Sequence, residues 1–416
     1  MDNSTTARRL REQIAKFSGV VSGGLGKVQA RFVCEMLYGI QASESVMLSA
    51  VARTLQEPIR VKKTHERLVR QLERRGLGRR LQSNLLEQAG RRVGTDTLLV
   101  LDVSELTKKY ARKMQYLCQV RDGTDGEIKP GYWTMNVVAT DLEGEQLVPL
   151  YQKLYSADAP GFESENIEML TAIDAVCEHT AGRGIWVIDR GGDRREIIEP
   201  MVKAQRRFII RLRGDRHLVC AGRTSLAVDI AHRCRCPYAE TVVKGKGADR
   251  KLYHISFGYK RVKLPWSERQ LWMLVVKGFG DTPLMLLTTE ALRRNRKLLW
   301  SVARSYFRRW SIEETIRYVK QCYALENVRV LRYTSLQNLY VLVLLAAHFA
   351  CAVLGFSAKL HVMSGHLLKA AKRIFDIPQF FYYALADGIK AIFARYPGQP
   401  KPLSPPTRAQ LTLFPT

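Results

Sequence analysis

The chain has 416 residues, which is enough for two or three domains with buried cores. It carries 66 Lys and Arg against 39 Asp and Glu, a formal net charge of +27. This excess favours a polyanionic partner, nucleic acid first and an acidic membrane surface second. The eight cysteines do not indicate the disulfide framework of a small secreted protein, so we expect reduced thiols in a cytosol.

Two features of the sequence bear on membranes. The polar start, MDNSTTARRLREQ, has no apolar segment of the secretory type. The longest apolar run extends from Leu339 to Phe356, but His348 interrupts it and it is short for a membrane span. We therefore predict a buried core helix there, no membrane partner and a cytoplasmic protein.

Residues 1–95 have a helical and basic pattern. The stretch ESVMLSAVARTLQEP and the following RVKKTHERLVRQLERR predict two helices with a turn near Pro58. This pattern is typical of a helix-turn-helix DNA-binding element, and equally of a solvated basic bundle that touches DNA without sequence preference. The side chains of the second helix that we assign to DNA contact are Lys62, Lys63, Arg67 and Arg70.

A different pattern begins at Thr97. The run TLLVLDV predicts a buried strand that ends at Asp102, and GYWTMNVVATD and EQLVPLYQKLY predict two more strands joined by a hairpin turn. After a helical segment, GIWVIDRGGD predicts another buried strand that ends in an aspartate, Asp189. With RFIIRLR as a further strand, this order predicts an α/β fold with a mixed sheet flanked by helices.

The segment after this sheet, residues 214–295, consists of short apolar runs bounded by Gly, Pro or charged residues, and it predicts a β-rich insertion. Its HRCRC sequence, from His232 to Cys236, has no second Cys/His pair at the spacing of a structural zinc site, so we do not expect zinc there. A helix follows the insertion, and the chain from about Thr334 is mostly helical. The Pro-rich end, YPGQPKPLSPPTRAQ, predicts a disordered tail.

The helix after the insertion contains the sequence YFRRWSIEETIRYVK. At 3.6 residues per turn, one stripe of this helix, beside an apolar stripe, holds Tyr306, Arg309, Glu313, Arg317 and Lys320. Taken alone, the pattern is typical of an amphipathic helix with an ion pair between Glu313 and Arg317.

Three carboxylates in this α/β pattern point to a metal site. Burying Asp102 and Asp189 without a partner is costly, although an aspartate at a strand end often only caps a turn. If their strands are parallel neighbours, the like charges need a bridging divalent cation, and a helix laid against the sheet brings Glu313 to the same place. Three hard oxygen ligands in a basic surround are what two-metal phosphoryl transfer needs.

The same residues carry a resemblance to a known family. The sequence resembles the DDE transposases of the insertion-sequence-4 family, whose third carboxylate lies in a Tyr-x2-Arg-x3-Glu-x6-Lys signature. The residues at that spacing are Tyr306, Arg309, Glu313 and Lys320. The family's two aspartates are matched by Asp102 and Asp189, with Arg190 and Asp193 after the second, and the arginine of the next strand is matched by Arg211.

The resemblance implies an RNase-H-like core in which Asp102, Asp189 and Glu313 are the catalytic metal ligands. The cofactor it implies is Mg²⁺, with Mn²⁺ as a substitute and two ions in all. The DNA-binding side chains that it implies in the core are Tyr306, Arg309, Lys320, Arg211 and Arg190. The implied activity is cut-and-paste movement of an insertion sequence, by cleavage at terminal inverted repeats and strand transfer to target DNA. A homodimer on paired ends, in a prokaryotic cytoplasm and associated with the nucleoid, would carry it out.

On this interpretation the chain divides into six segments. These are a helical DNA-binding region (1–95), the first part of the catalytic core (96–213), the β-rich insertion (214–295), the last catalytic helix (296–330), a C-terminal helical region for core completion and dimerisation (331–396) and the Pro-rich tail (397–416).

One position departs from the family. In members that form hairpin ends, a tryptophan just ahead of an LLLT strand receives a flipped base, and here that position is Leu284. Trp266 follows Pro265 in a predicted turn and is the candidate for stacking a base. Trp272, inside the apolar strand LWMLVV, is predicted to be a core residue.

Two other functions fit the same sequence. One is a catalytically silent end-binding DNA repressor, whose mark would be a damaged set of carboxylates. The other is an RNase-H-like nuclease without strand transfer. The complete set of carboxylates favours the transposase over the repressor.

Overall fold

The computed structural model describes residues 3–123, 125–144, 146–244, 251–328, 330–354 and 381–401, and within them only the backbone of residues 244, 311–312, 314–322 and 381–384. The N-terminal region is helical, with α1 (Asn3–Val21), α2 (Lys27–Ser43), α3 (Leu48–Thr54), α4 (Val61–Leu72) and α5 (Leu77–Ala89). α3 and α4 are the predicted pair of helices, and Pro58 lies in the connection between them.

The central part of the chain forms a mixed sheet flanked by helices. Its strands are β1 (Leu98–Thr107), β2 (Cys118–Arg121), β3 (Ile128–Thr140), β4 (Leu147–Tyr155), β5 (Ile185–Ile188) and β6 (Phe208–Arg211). β3 is antiparallel to β1 and β4, whereas β1, β5 and β6 are parallel to one another. The predicted α/β class, with a mixed sheet flanked by helices, is confirmed; the short strand β2 was not predicted.

Helices cover both faces of this sheet. α6 (Glu165–Thr180) and α7 (Arg195–Lys203) share one core with Leu99 and Leu101 of β1. The long helix α9 (Arg296–Cys322) shares the opposite core with Leu98 and Val100. This division follows from the alternation of side chains along a strand.

The insertion is β-rich, as predicted, but it extends the central sheet. Its elements are β7 (His217–Cys220), β8 (Arg223–Leu226), α8 (Ala227–His232), β9 (Tyr238–Lys244), β10 (Lys251–Val262), β11 (Leu271–Lys277) and β12 (Leu284–Thr288). β12 pairs with β6, and β11, β10 and β9 follow in order, so ten strands of the described residues belong to one sheet. All five residues of β12 are buried, which requires neighbours on both sides and cover on both faces.

The C-terminal helices are α10 (Tyr333–His348), which continues as a π-helical turn (Phe349–Val353), and α11 (Phe381–Arg395). The segment Tyr333–Val353 is long and apolar enough to cross a membrane, but 94% of its apolar window is buried inside the protein. The predicted core helix is therefore confirmed as far as Leu354. α1, α2, α5, α10 and α11 pack into one hydrophobic core, so the N-terminal and C-terminal helical regions are joined.

Candidate active site

Three predicted site residues lie in one row across the sheet. β1 and β5 run parallel, and their pairing stops one residue before Asp102 and Asp189, which are therefore neighbours. β5 and β6 also run parallel, and their pairing stops one residue before Asp189 and Arg211. The sequence-based condition that the two aspartate strands be parallel neighbours is met.

The side chains of this row lie on the same face of the sheet as α9. The residues just before them in the three strands, Leu101, Ile188 and Ile210, belong to the core on the α6 and α7 face. Alternation along the strand therefore directs the following residue of each strand to the opposite face.

The sequence predicts that Asp102 ends its strand, and this prediction is wrong. β1 continues to Thr107 because β3 pairs with it along its whole length. β5, in contrast, ends at Ile188. Asp102 therefore lies where β1 loses its neighbour on one side, and its side chain borders the end of β5.

Helix α9 places three signature residues one turn apart beside this row. Tyr306 is fully buried in the core between α9 and the sheet. Arg309 follows and is 8% exposed. Glu313 comes next, and its side chain is 48% exposed. Residues three and four apart on a helix are neighbours, so the three side chains run in one line from the core to solvent.

Arg309 connects the helix to the sheet. Its Nη1 is 2.7 Å from Glu313 Oε1 and 3.5 Å from Asp102 Oδ1. Burial alone would lower the pKa of this guanidinium, but Tyr306, Glu313, Asp102 and Asp189 outweigh burial and raise the pKa. A permanent positive charge is thus held among the three carboxylates.

The donor set is chemically suited to Mg²⁺, because carboxylate oxygens are the hard ligands this ion prefers. In the described part of the chain, however, no three Asp, Glu, His or Cys side chains are close enough together to hold a metal ion. Arg309 Nη1 contacts Asp102 and Glu313 at the same time. In this structure Arg309, rather than a metal ion, is therefore the cation that neutralises these two carboxylates.

The turn after β5 orients Asp189. Asp189 Oδ1 accepts a hydrogen bond of 2.7 Å from Gly191 N, so the carboxylate also caps the 3-10 turn that follows it. Asp193, which is fully buried, accepts 2.7 Å hydrogen bonds from Arg216 Nε and Arg213 N. Burial raises the pKa of Asp193 although these partners oppose the rise. Asp193 therefore fastens the turn to the chain beyond β6.

Sequence analysis missed two polar residues beside Asp102. Asn136 of β3 is opposite Asp102 and 1% exposed. Tyr340 of α10 donates a 2.9 Å hydrogen bond to Asn136 Oδ1. Burial raises the pKa of Tyr340, and Asp102 adds to the rise. A lone amide in the apolar run WTMNVVAT was the available signal for Asn136; Tyr340, in an apolar helix, had none.

Tyr306 and Arg309 are both buried in this structure, and their predicted contacts with DNA phosphates stay predictions. Tyr306 is 0% exposed, and the Cζ of Arg309 lies 5.8 Å from the centroid of its ring. The physical reason is that the part of α9 that carries Tyr306 and Arg309 packs against the sheet, where Asp102 contacts the arginine.

Arg67, another predicted DNA contact, forms ion pairs within the protein. Arg67 Nη1 is 2.5 Å from Glu35 Oε2, and Nη2 is 2.8 Å from Glu57 Oε2. The side chains of these two glutamates are almost completely buried, and Arg67 is the counter-ion that compensates their charge.

Trp266, whose predicted role is to stack a base, lies on the opposite face of the sheet from the two aspartates, and that role stays a prediction. Trp266 packs against the core on the α6 and α7 face, with Arg195 Cζ 5.4 Å from its ring centroid. Asp102 and Asp189 lie on the other face of the sheet. Trp272 packs into the core on the α9 face, which confirms its predicted structural role, and Leu284 is buried at the start of β12.

Four of the predicted DNA-contact residues are exposed to solvent and free to contact DNA. They are Lys62, Lys63, Arg70 and Arg190. Arg211 is half-buried in the row described above, and the side chain of Lys320 lies outside the described residues.

No protein-family model and no curated protein matches the chain. Among solved structures, the chain is similar to the piggyBac transposase in a cryo-EM structure of its synaptic complex with hairpin DNA. The TM-score is 0.41 and the sequence identity 9%, over 95% of this chain and 81% of that chain. A likeness this distant carries no argument, and membership of the insertion-sequence-4 family stays a prediction.

Proposed function

We propose that this protein is a DNA transposase of the DDE type, in which Asp102, Asp189 and Glu313 together bind the divalent ions of strand cleavage and strand transfer. The observation that carries the proposal is the pair of neighbouring aspartates at the end of β5, with Glu313 held on the arginine that also contacts Asp102. Three carboxylates on one face of a mixed sheet, in a chain of net charge +27, suit a reaction at DNA phosphodiesters.

Mg²⁺ or Mn²⁺ would supply activation of the attacking hydroxyl and stabilisation of the leaving oxygen. The protein's own residues set the positions of the acids. Gly191 N orients Asp189, and Asn136 lies opposite Asp102 with its amide held by Tyr340. Arg309 neutralises Asp102 and Glu313 as long as no other cation does so, which keeps like charges from separating the helix and the sheet.

The proposed partner is double-stranded DNA, both the terminal inverted repeats and the target. The exposed cations of α4 and of the turn after β5 are suited to phosphate contacts, which position a protein on the duplex. We further propose a homodimer on paired ends, in a nucleoid-associated prokaryotic setting.

The test is cleavage of labelled DNA ends from the element that encodes the protein, with Mg²⁺ or Mn²⁺. Asp102→Asn, Asp189→Asn and Glu313→Gln should each lower the cleavage rate by about 10²-fold or more, because each removes a ligand worth several kcal/mol of transition-state stabilisation. Binding to the same ends, measured by gel shift, should be unchanged.

The matched control is Glu314→Gln, which removes the adjacent acid of the same helix and should cleave like the wild type. Full cleavage by Glu313→Gln with loss in Glu314→Gln would move the third ligand to Glu314. Hydrolysis of the ends without joining to a target duplex would assign the protein to the nucleases instead.

One observation favours a second candidate, the catalytically silent end-binding protein. Arg309 already neutralises Asp102 and Glu313, so Asp102 does not need a metal ion in order to be buried. On this alternative, the wild type binds element ends but cleaves them with neither ion.

A further inference from the structure

The HRCRC segment of the insertion contains two cysteines in a fixed turn. α8 ends at His232, and the turn leads to β9, which begins at Tyr238. Cys234 is 3% exposed, whereas Cys236 is half-buried. The thiol of Cys236 lies 3.7 Å from the carbonyl oxygen of Cys234 and 3.9 Å from that of Val275. Cys236 is thus partly accessible to solvent, whereas Cys234 lies in the core.

Two contacts hold this turn against the sheet. Lys277 Nζ, at the end of β11, donates hydrogen bonds to the carbonyl oxygens of His232 at 2.9 Å and Cys234 at 3.0 Å. Gly258 of β10 lies so close to the turn that a Cβ there would collide with the Arg235 carbonyl oxygen. These contacts hold in place the backbone of the turn that carries both thiols.

The charges around the turn favour a thiolate at Cys236. A hydrogen bond from Cys234 and the ammonium of Lys277 lower the pKa of Cys236 to about 7, against the effect of burial. The pKa of Cys234 is raised, first by Cys236 and then by burial, although Lys260 and Lys277 oppose the rise. An accessible thiolate with a protonated thiol beside it is the arrangement of a nucleophile and a resolving cysteine.

We propose that Cys236 is a reactive nucleophile that forms a reversible disulfide with Cys234 when it meets a hydroperoxide. The Cys236 thiolate attacks the terminal peroxide oxygen and the O–O bond breaks, which gives a sulfenic acid. The other oxygen leaves as alkoxide, or as hydroxide from hydrogen peroxide, and takes a proton from water. The Cys234 sulfur then attacks the Cys236 sulfur. The S–S bond forms as the S–O bond breaks, and the Cys234 proton leaves with the hydroxide as water. Two thiols lose two electrons in all, and the peroxide gains them.

A metal site is the weaker interpretation of the same pair. In the described residues, no third Cys, His, Asp or Glu joins the two thiols in a group that could hold an ion. Two sulfurs alone fall short of the four ligands of a structural zinc site.

The first test is the alkylation rate of each cysteine in the full-length folded protein with iodoacetamide, read by peptide mass. At pH 7, Cys236 should react about tenfold faster than a thiol of ordinary pKa, since about half of it is thiolate. Cys220, another half-buried thiol, is the internal comparison. Lys277→Met should slow Cys236 at pH 7 and leave its rate unchanged at pH 9.5, where the thiol is ionised in either variant. Equal rates for Cys236 and Cys220 at pH 7 would overturn the nucleophile.

The second test uses a feature of the sequence, because trypsin cuts after Arg233 and after Arg235. Digestion separates Cys234 from Cys236 unless a disulfide joins the two peptides. After brief hydrogen peroxide, the cross-linked peptide should appear, and dithiothreitol should remove it. Cys234→Ser should give sulfenic acid on Cys236, and Cys220→Ser should behave like the wild type. Over-oxidised Cys236 beside an unmodified Cys234 in the wild type would overturn the disulfide.

Discussion

Two arginines, Arg67 in the helical region and Arg309 beside the sheet, each sit between two carboxylates. Arg67 uses two nitrogens, one for Glu35 at 2.5 Å and one for Glu57 at 2.8 Å. Arg309 uses a single nitrogen for both of its partners, Glu313 at 2.7 Å and Asp102 at 3.5 Å.

The two clusters also differ in how well their charges are matched. In the helical region, Arg31 binds the same two glutamates as Arg67, each at 2.7 Å, so two cations serve two anions. At the sheet, Asp189 adds a third carboxylate to the surroundings of Arg309. The Nε of Arg309 is buried and has no hydrogen-bond partner among the described residues.

This difference separates a structural ion pair from a candidate exchange site. A buried charge is stable when its partners satisfy it with short, complementary hydrogen bonds, as around Arg67. Arg309 contacts its carboxylates through one nitrogen and has one donor unsatisfied. Its replacement by another cation therefore costs less interaction free energy than the replacement of Arg67 would. Burial of an arginine alone therefore does not tell the two roles apart, whereas the fit of its contacts does.

The largest effect is expected from Arg67→Ala. Removing the guanidinium leaves Glu35 and Glu57, whose side chains are 8% and 9% exposed, with the half-exposed Arg31 and, for Glu57, a hydrogen bond from Thr64 Oγ1. Breaking a buried ion pair from one side costs about 3 kcal/mol of the free energy of unfolding. Urea unfolding measures this loss.

Arg70→Ala is the control for this measurement, because Arg70 is exposed on the same helix and its removal should cost less than about 0.5 kcal/mol. If Arg67→Ala were as stable as Arg70→Ala but bound DNA more weakly, the structural interpretation of Arg67 would fail.

A smaller effect is expected from Arg309→Met, which keeps the apolar stem and removes the charge. Without divalent ions the variant should lose about 2 kcal/mol of stability, because Asp102 and Glu313 remain without their cation. If the carboxylates bind metal once the guanidinium has gone, Mn²⁺ should raise the melting temperature of the variant more than that of the wild type.

The control adds Glu313→Gln to Arg309→Met, and this double variant should respond to Mn²⁺ less than the single one. If Mn²⁺ changed the melting temperature of no variant, the contacts of Arg309 would be structural ion pairs like those of Arg67. That result would favour the catalytically silent end-binding protein.

Much of the sheet was predictable because its signals are local. Apolar runs of four to seven residues bounded by Gly, Pro and charges marked the main strands, and two of these runs led directly into Asp102 and Asp189. The pairing of β12 with β6 was not predictable, since it joins distant segments and nothing in either strand specifies its neighbour. The extent of β1 beyond Asp102 depended in the same way on its partner β3.

At the candidate site, the spacing of the α9 residues was readable but their environment was not. A helical stripe with an arginine and a glutamate looks the same whether it faces solvent or carboxylates. Arg309 and Arg67 were therefore both assigned to DNA, because Asp102 and Glu35, which contact them, come from other segments. The position of Trp266 was not predictable for a related reason: a tryptophan in a turn carries no signal for the face of the sheet that it covers.

The smallest effect is expected from the exposed cations of α4, which sharpen the contrast with Arg67 on the same helix. Replacing Lys62, Lys63 and Arg70 with Ala should leave stability unchanged and lower affinity for element ends about tenfold at moderate salt. The slope of log affinity against log salt should fall by about 3, because each lost phosphate contact leaves about one counterion unreleased.

The control replaces Arg74, Arg75 and Arg79, which are also exposed, and removes the same charge from a neighbouring position. Equal losses in both triple variants would mean that overall charge rather than α4 binds the DNA, and an unchanged salt slope in the first would remove α4 from the interface.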